Sequence, residues 1–161
     1  TPLNSHFFQL IQSEFPNAKI IFLVRDPRDV AASHMKLFHN NPKGVKKGVS
    51  RWNMCFEVYL KLKKKNALLH IVKYEDLVLR SQKTIEDVID FLDLNPKEMT
   101  MNHSAQIELL GVQNLDFHQN LKNPISASSI GKWEKDLPDH YVKMIEKKCR
   151  KGMQFFSYPF S

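Results

Sequence analysis

The sequence predicts an α/β domain in which a parallel sheet is covered by helices. Two short β-like runs, KIIFLV at 19–24 and LLHIVK at 68–73, each lie between segments with helical spacing of apolar residues. The order helix, strand, helix, helix, strand, helix is that of strands joined by helical crossovers, which leave neighbouring strands parallel. Two strands are too few for such a sheet. We therefore expect 1–161 to be the carboxyl-terminal part of a single domain, with further strands ahead of Thr1.

Taken in order, Phe7, Phe8, Ile11 and Phe15 repeat at helical spacing and predict an amphipathic helix over 5–15. Pro16 and Asn17 stop it, and 19–24 reads as a buried strand. A second helix has a clear start, with Asp26 as N-cap and Pro27 at the first helical position. It runs through Val30, Ser33 and Leu37 and is broken around 40–44 (NNPKG). A third helix is expected over about 50–64, with Trp52, Phe56, Tyr59, Leu60 and Leu62 as apolar contacts. After the second strand, 84–92 reads as a helix with Ile85, Val88, Ile89 and Leu92 inward. From 99 to 130 the periodicity dissolves into Asn- and Ser-rich sequence, and a segment that long is usually functional or disordered. The last helix, about 138–156, places Val142, Ile145, Cys149, Met153 and Phe156 on one face.

Hydrophobic content of 42% and charged content of 25% are ordinary for a globular protein. No apolar run approaches the ~18 residues of a membrane span, and no signal-peptide pattern opens the chain. The net charge of +7 is concentrated. Between Lys36 and Lys65 nine Lys and Arg face one acid, Glu57, while the remainder carries fifteen basic and sixteen acidic residues. That stretch is either a basic face for an anionic partner or a solvated lysine-rich surface. Cys55 and Cys149 have no His partners at ligand spacing, so no metal is expected; both read as buried thiols, a disulfide requiring that they meet in an oxidising compartment. Asn102 begins an N-x-S glycosylation sequence, which a luminal protein would carry modified.

The chemistry concentrates at 19–33, KIIFLVRDPRDVAAS. Ligands of open α/β sheets sit beyond the carboxyl ends of the strands, and Arg25 is the first residue past one. A helix starting near Pro27 would offer backbone N–H groups and a positive dipole end to the same place. Arg25 and the Ser33 hydroxyl could then share a phosphate. The alternative is a surface Arg25 paired with Asp26 or Asp29, and a serine bonded to its own helix.

LVRDPRDVAAS resembles the 3′-phosphate-binding segment of sulfotransferases that use 3′-phosphoadenosine 5′-phosphosulfate (PAPS). The resemblance implies that Arg25 and Ser33 hold the 3′-phosphate. Two further segments agree in order and spacing. IVKYEDLVLRS at 71–81 is similar to the segment whose tyrosine, here Tyr74, contacts the adenine side of the nucleotide; SSIGKWEKDLP at 128–138 is similar to the loop that covers the cofactor, matching Ser129 loosely and Lys132 and Trp133 directly. The resemblance covers essentially the whole chain and implies a P-loop-like three-layer fold. GKW in place of a glycine-rich RKG loop is closer to the Golgi membrane-anchored and related bacterial enzymes than to the cytosolic group. The stretches at 51–53 (RWN) and 102–104 (NHS) resemble tyrosylprotein sulfotransferases; IEKKC at 145–149 and the Tyr158–Pro159 ending resemble glycan sulfotransferases. Leu37 departs from the tyrosylprotein pattern, which often has an Arg there, so the acceptor stays open: an anionic glycan or an acidic tyrosine-containing protein. The implied compartment is the Golgi for a eukaryotic protein, reached through an anchor outside this chain, and the cytoplasm for a bacterial one.

The family's 5′-phosphosulfate loop and general base have no counterpart in the chain; relatives carry both in the part preceding Thr1. Glu75 and His70 could be nominated as a base, but Glu75 follows a nucleotide residue and reads as structural, so no catalytic residue is assigned. On this reading 1–161 alone would be inactive. Two other functions remain. A nucleotide or small-molecule kinase would need a GxxxxGK[ST] loop and a Mg²⁺-holding carboxylate. A non-catalytic module binding heparin-like chains through its lysines would show salt dependence without nucleotide selectivity. No nucleic-acid partner is expected, since no stacking platform or recognition helix is evident.

Overall fold

The computed structural model describes residues 7–65, 67–95 and 126–161. Its frame is a two-stranded parallel sheet, β1 (Ile20–Val24) beside β2 (Leu69–Lys73), in the register Ile20↔Leu69 to Val24↔Lys73. The expected α/β class with parallel strands is thus present among the described residues.

The first helix, α1 (Phe8–Glu14), ends one residue ahead of the expected Phe15 and buries Phe8 while Phe7 and Phe15 stay exposed. Strand β1 also differs from expectation. Val24 is buried, but Ile21 and Leu23, which share one face of the strand, are 43% and 57% exposed, so among the described residues that face is largely uncovered.

Helix α2 (Pro27–Leu37) starts as the sequence predicts: the Asp26 carboxylate accepts the Arg28 N–H at 2.8 Å and Pro27 occupies the first turn. Positive φ angles at His39 and Asn40 turn the chain, and α3 then runs without interruption from Pro42 to Lys64. The sequence reading placed its start near Ser50, taking the NNPKG run as a break. In the structure Asn41 caps the helix through the Lys43 N–H at 2.9 Å, with Pro42 following it. The glycines inside α3 serve packing. A Cβ on Gly44 would lie 2.5 Å from the carbonyl oxygen of His34, and one on Gly48 would lie 3.2 Å from the Ala31 Cα, so α2 and α3 meet backbone to backbone.

After β2, the chain enters α4 (Tyr74–Leu79) and α5 (Ser81–Leu92) directly, which extends the helical region ten residues ahead of the expected start at Thr84. A 3₁₀ turn (Ala127–Ser129), the short helix α6 (Trp133–Asp136) and α7 (Asp139–Phe155) complete the described chain. The core lies where α2, α3 and α7 meet the sheet: Val24, Ala31, Val45, Trp52, Ile145 and Met153 are all buried there. Gly152 of α7 admits the Trp52 ring, which a Cβ would approach to 2.5 Å. Cys149 is buried in this core and Cys55 only partly. Among the described residues no helix is long and apolar enough to cross a membrane. Asn102 lies outside the described residues.

Candidate functional site

At the carboxyl end of β1 four charged residues come in a row broken only by Pro27, and the structure gives them different work. Arg28 is 3% exposed and fully committed. Its Nε and Nη2 donate to the Asp26 carboxylate at 3.0 and 2.7 Å, its Nη1 donates to Glu146 on α7 at 2.8 Å, and its plane lies 4.1 Å from the Trp133 ring centroid. Burial alone would lower the Arg28 pKa; the Asp26 bonds, with Asp26 and Glu146 charges, outweigh it and raise the value. Glu146 also accepts the Ser161 N–H and hydroxyl, each at 2.9 Å, tying the end of the described chain to the same point.

Arg25 is placed otherwise. Trp52 Nε1 donates to its carbonyl at 2.8 Å and fixes the backbone at the strand end. Its guanidinium lies over the Tyr74 ring at 4.5 Å, donates through Nη2 to the Ser129 carbonyl and stands 3.8 Å from the Asp29 carboxylate. The Tyr74 hydroxyl and the Ser129 hydroxyl share a hydrogen bond of 2.7 Å. Three residues far apart in sequence, Arg25, Tyr74 and Ser129, therefore converge. Arg25 Nε is buried with no hydrogen-bond partner among the described residues. A buried donor left unpaired in an otherwise satisfied corner is what an anionic oxygen would complete.

Ser33 and Lys132, the other two expected nucleotide residues, are exposed, and neither side chain has a hydrogen-bond or ion-pair partner among the described residues. Lys132 is nonetheless held near α2. The Asp29 carboxylate accepts the Gly131 N–H at 2.9 Å and the Trp133 N–H at 3.1 Å, on either side of it, and Lys36 pairs with Asp136 at 2.6 Å.

The start of α2 was expected to present free N–H groups to a ligand, and this holds for fewer of them than expected. Pro27 has none, Arg28 N–H is taken by Asp26, and the Asp26 N–H donates to Glu75 at 2.9 Å, which leaves the Asp29 N–H without an acceptor among the described residues. Glu75 in turn accepts the Tyr158 hydroxyl at 2.9 Å, so it links the start of α2 to the segment after α7. Burial, then the Glu75 charge, drives the Tyr158 pKa far up, keeping that hydroxyl a donor.

The roles of Arg28, Asp29 and Glu146 were missed in the sequence. The only local signal was Arg28 standing two residues after a capping Asp; the bond to Glu146 spans 118 residues. The lysine-rich stretch does form an exposed surface, with Lys43, Lys46, Lys47, Lys61, Lys63, Lys64 and Lys65 all on the outside of α3 or at its end. Its positive field reaches His34, whose pKa is lowered first by burial and then by Arg51 and Lys47.

The model of the Sulfotransferase family matches residues 1–98. Among curated proteins, the chain is 28% identical to Sulfotransferase 2A1 of Macaca fascicularis over 93% of its own length and 62% of the relative's. It is 23% identical to the Protein-tyrosine sulfotransferase of Drosophila melanogaster, over 88% of its own length and 30% of the relative's. The chain thus spans less than two thirds of either relative. No solved structure matches it significantly.

Proposed function

The chain belongs to the sulfotransferase family, and from that premise we propose that it supplies the 3′-phosphate and adenine side of a PAPS site in an enzyme sulfating a hydroxyl of a glycan or a protein tyrosine. Its α/β frame is read as part of a P-loop-like three-layer fold. The observation that carries the proposal is the Arg25 guanidinium, set at a strand end against Tyr74 and Ser129 with its buried Nε unspent. A phosphate oxygen would satisfy that donor. Ser33, exposed about two turns into α2, adds a hydroxyl, and Lys132 adds a charge from the loop above.

When bound, PAPS supplies an activated sulfuryl group whose S–O bond to the 5′-phosphate breaks as one to the acceptor oxygen forms. The residues described here grip and orient the nucleotide, so that the acceptor meets the sulfur in line. The exposed lysines of α3 would draw in an anionic acceptor, which suits both a sulfated glycan and an acidic peptide. A luminal address in the Golgi accords with such acceptors.

The test is calorimetric. Adenosine 3′,5′-bisphosphate should bind much better than 5′-AMP, and Arg25→Ala should remove most of that preference, since losing a charged hydrogen-bond partner costs roughly 1.5–3 kcal/mol. Equal affinity of the unsubstituted protein for the two nucleotides would sink the proposal.

A further inference from the structure

We propose that Asp29 is a positioning residue for the nucleotide: its carboxylate fixes the 131–133 loop beside Arg25 and thereby sets the preference for a 3′-phosphate. The inference rests on the nucleotide reading given above.

Asp29 is 2% exposed, and a buried carboxylate is costly unless its oxygens are used. Both are. Oδ2 accepts from Gly131 and Oδ1 from Trp133, residues more than a hundred positions away, so the carboxylate holds the loop at two amides with Lys132 between them. Gly131 at φ +71° makes the turn, a conformation that side-chain-bearing residues rarely adopt. On the far side, Ser129 of the same loop accepts from Arg25. The loop is therefore tied to the strand end by Arg25 and to α2 by Asp29, and the position of Lys132 relative to the unspent Arg25 Nε depends on both ties.

The sign of the charge makes the argument sharp. A carboxylate 3.8 Å from the guanidinium opposes the approach of a phosphate dianion. If Asp29 acted on the ligand only through its field, neutralising it would tighten binding. If it acts by position, neutralising it weakens binding, because the Asn side chain keeps one acceptor oxygen and turns an NH₂ group toward the second amide.

Asp29→Asn is near-isosteric and separates these outcomes. We expect the ratio of affinities for adenosine 3′,5′-bisphosphate over 5′-AMP to fall about tenfold or more, and the Gly131 or Trp133 amide to exchange its hydrogen about tenfold faster while α7 amides keep their protection. A residue that merely stabilised the fold would lower the melting temperature and leave the ratio unchanged. Unchanged or tightened bisphosphate preference in the variant overturns this inference alone; absence of any preference in the unsubstituted protein overturns the nucleotide reading and this inference together. Should the variant not fold, the unsubstituted protein still decides: adenosine 3′,5′-bisphosphate must slow exchange at Gly131 and Trp133. No change at those amides on saturation refutes the coupling.

Discussion

Replacing Arg28 by alanine should destabilise the fold by about 3–5 kcal/mol, the range for removing one partner of a buried ion pair. Replacing Arg25, three residues earlier, should cost only about 1 kcal/mol. The difference follows from what each guanidinium leaves behind. Without Arg28, the Asp26 and Glu146 carboxylates, 10% and 13% exposed as side chains, lose the cation that both contact at 2.7–2.8 Å. The Trp133 ring also loses the plane stacked on it at 4.1 Å, and Glu146 keeps only the Ser161 donors. Arg25 is 22% exposed; its loss frees one carbonyl on a partly buried loop and removes a long 3.8 Å ion pair from Asp29, whose buried carboxylate still keeps both loop amides as donors. For a chain of this size each kcal/mol shifts the melting temperature by about 2–4 °C. Thermal unfolding followed by circular dichroism should thus show Arg28→Ala melting about 6–20 °C lower and Arg25→Ala within about 4 °C of the unsubstituted protein. Nucleotide preference should follow the reverse order among variants that remain folded. An Arg28→Ala protein melting within a few degrees of the original, or an Arg25→Ala protein falling as far, would refute the division of labour drawn here.

Gly152→Ala should destabilise by about 1–3 kcal/mol in urea titrations, although alanine is the better helix former, because its Cβ would stand 2.5 Å from two atoms of the Trp52 ring; a gain in stability would mean the α3–α7 contact is loose. Burial, with the Asp26 charge adding to it, pushes the Cys149 thiol up to about 12 from its ordinary 9.0. The unfolded chain therefore releases that proton first, so this contribution to stability is complete below about pH 9 and is lost as pH rises toward about 12. Cys149→Ala should flatten the alkaline limb of a stability–pH curve, and a limb of unchanged slope would count against the assignment.

Local grammar made much of this fold legible. The Asp26–Pro27 start of α2 appears where the cap chemistry puts it, and the apolar face of α7, with Val142, Ile145, Cys149 and Met153 buried, follows its 3.6-residue spacing. The start of α3 was not legible, because the NNPKG run read as a break when the use of its Gly44 is tertiary: with Gly48, it lets α3 approach His34 and Ala31 of a helix already passed. In the same way the apolar run of β1 resembled a strand buried on both faces, while Ile21 and Leu23 are exposed among the described residues. Periodicity reports a residue's character and leaves open what stands opposite it.

The candidate site shows the same limit at closer range. The segment Arg25–Asp29 carries two cations and two anions, so its own net charge is zero, and charge density alone says nothing about a phosphate. Three of the four charges are spent inside the protein: Arg28 on Asp26 and Glu146, Asp26 on Arg28, and Asp29 on the loop amides of Gly131 and Trp133. Of the four, only Arg25 keeps a buried donor without a partner among the described residues. An anion-binding corner arises here from unequal satisfaction among neighbouring charges, and that inequality is set by residues 102–118 positions away. Motif resemblance could single out Arg25 from the sequence; the reason Arg28 cannot take its place lies in its burial and in Asp26 and Glu146, which already engage all three of its guanidinium nitrogens.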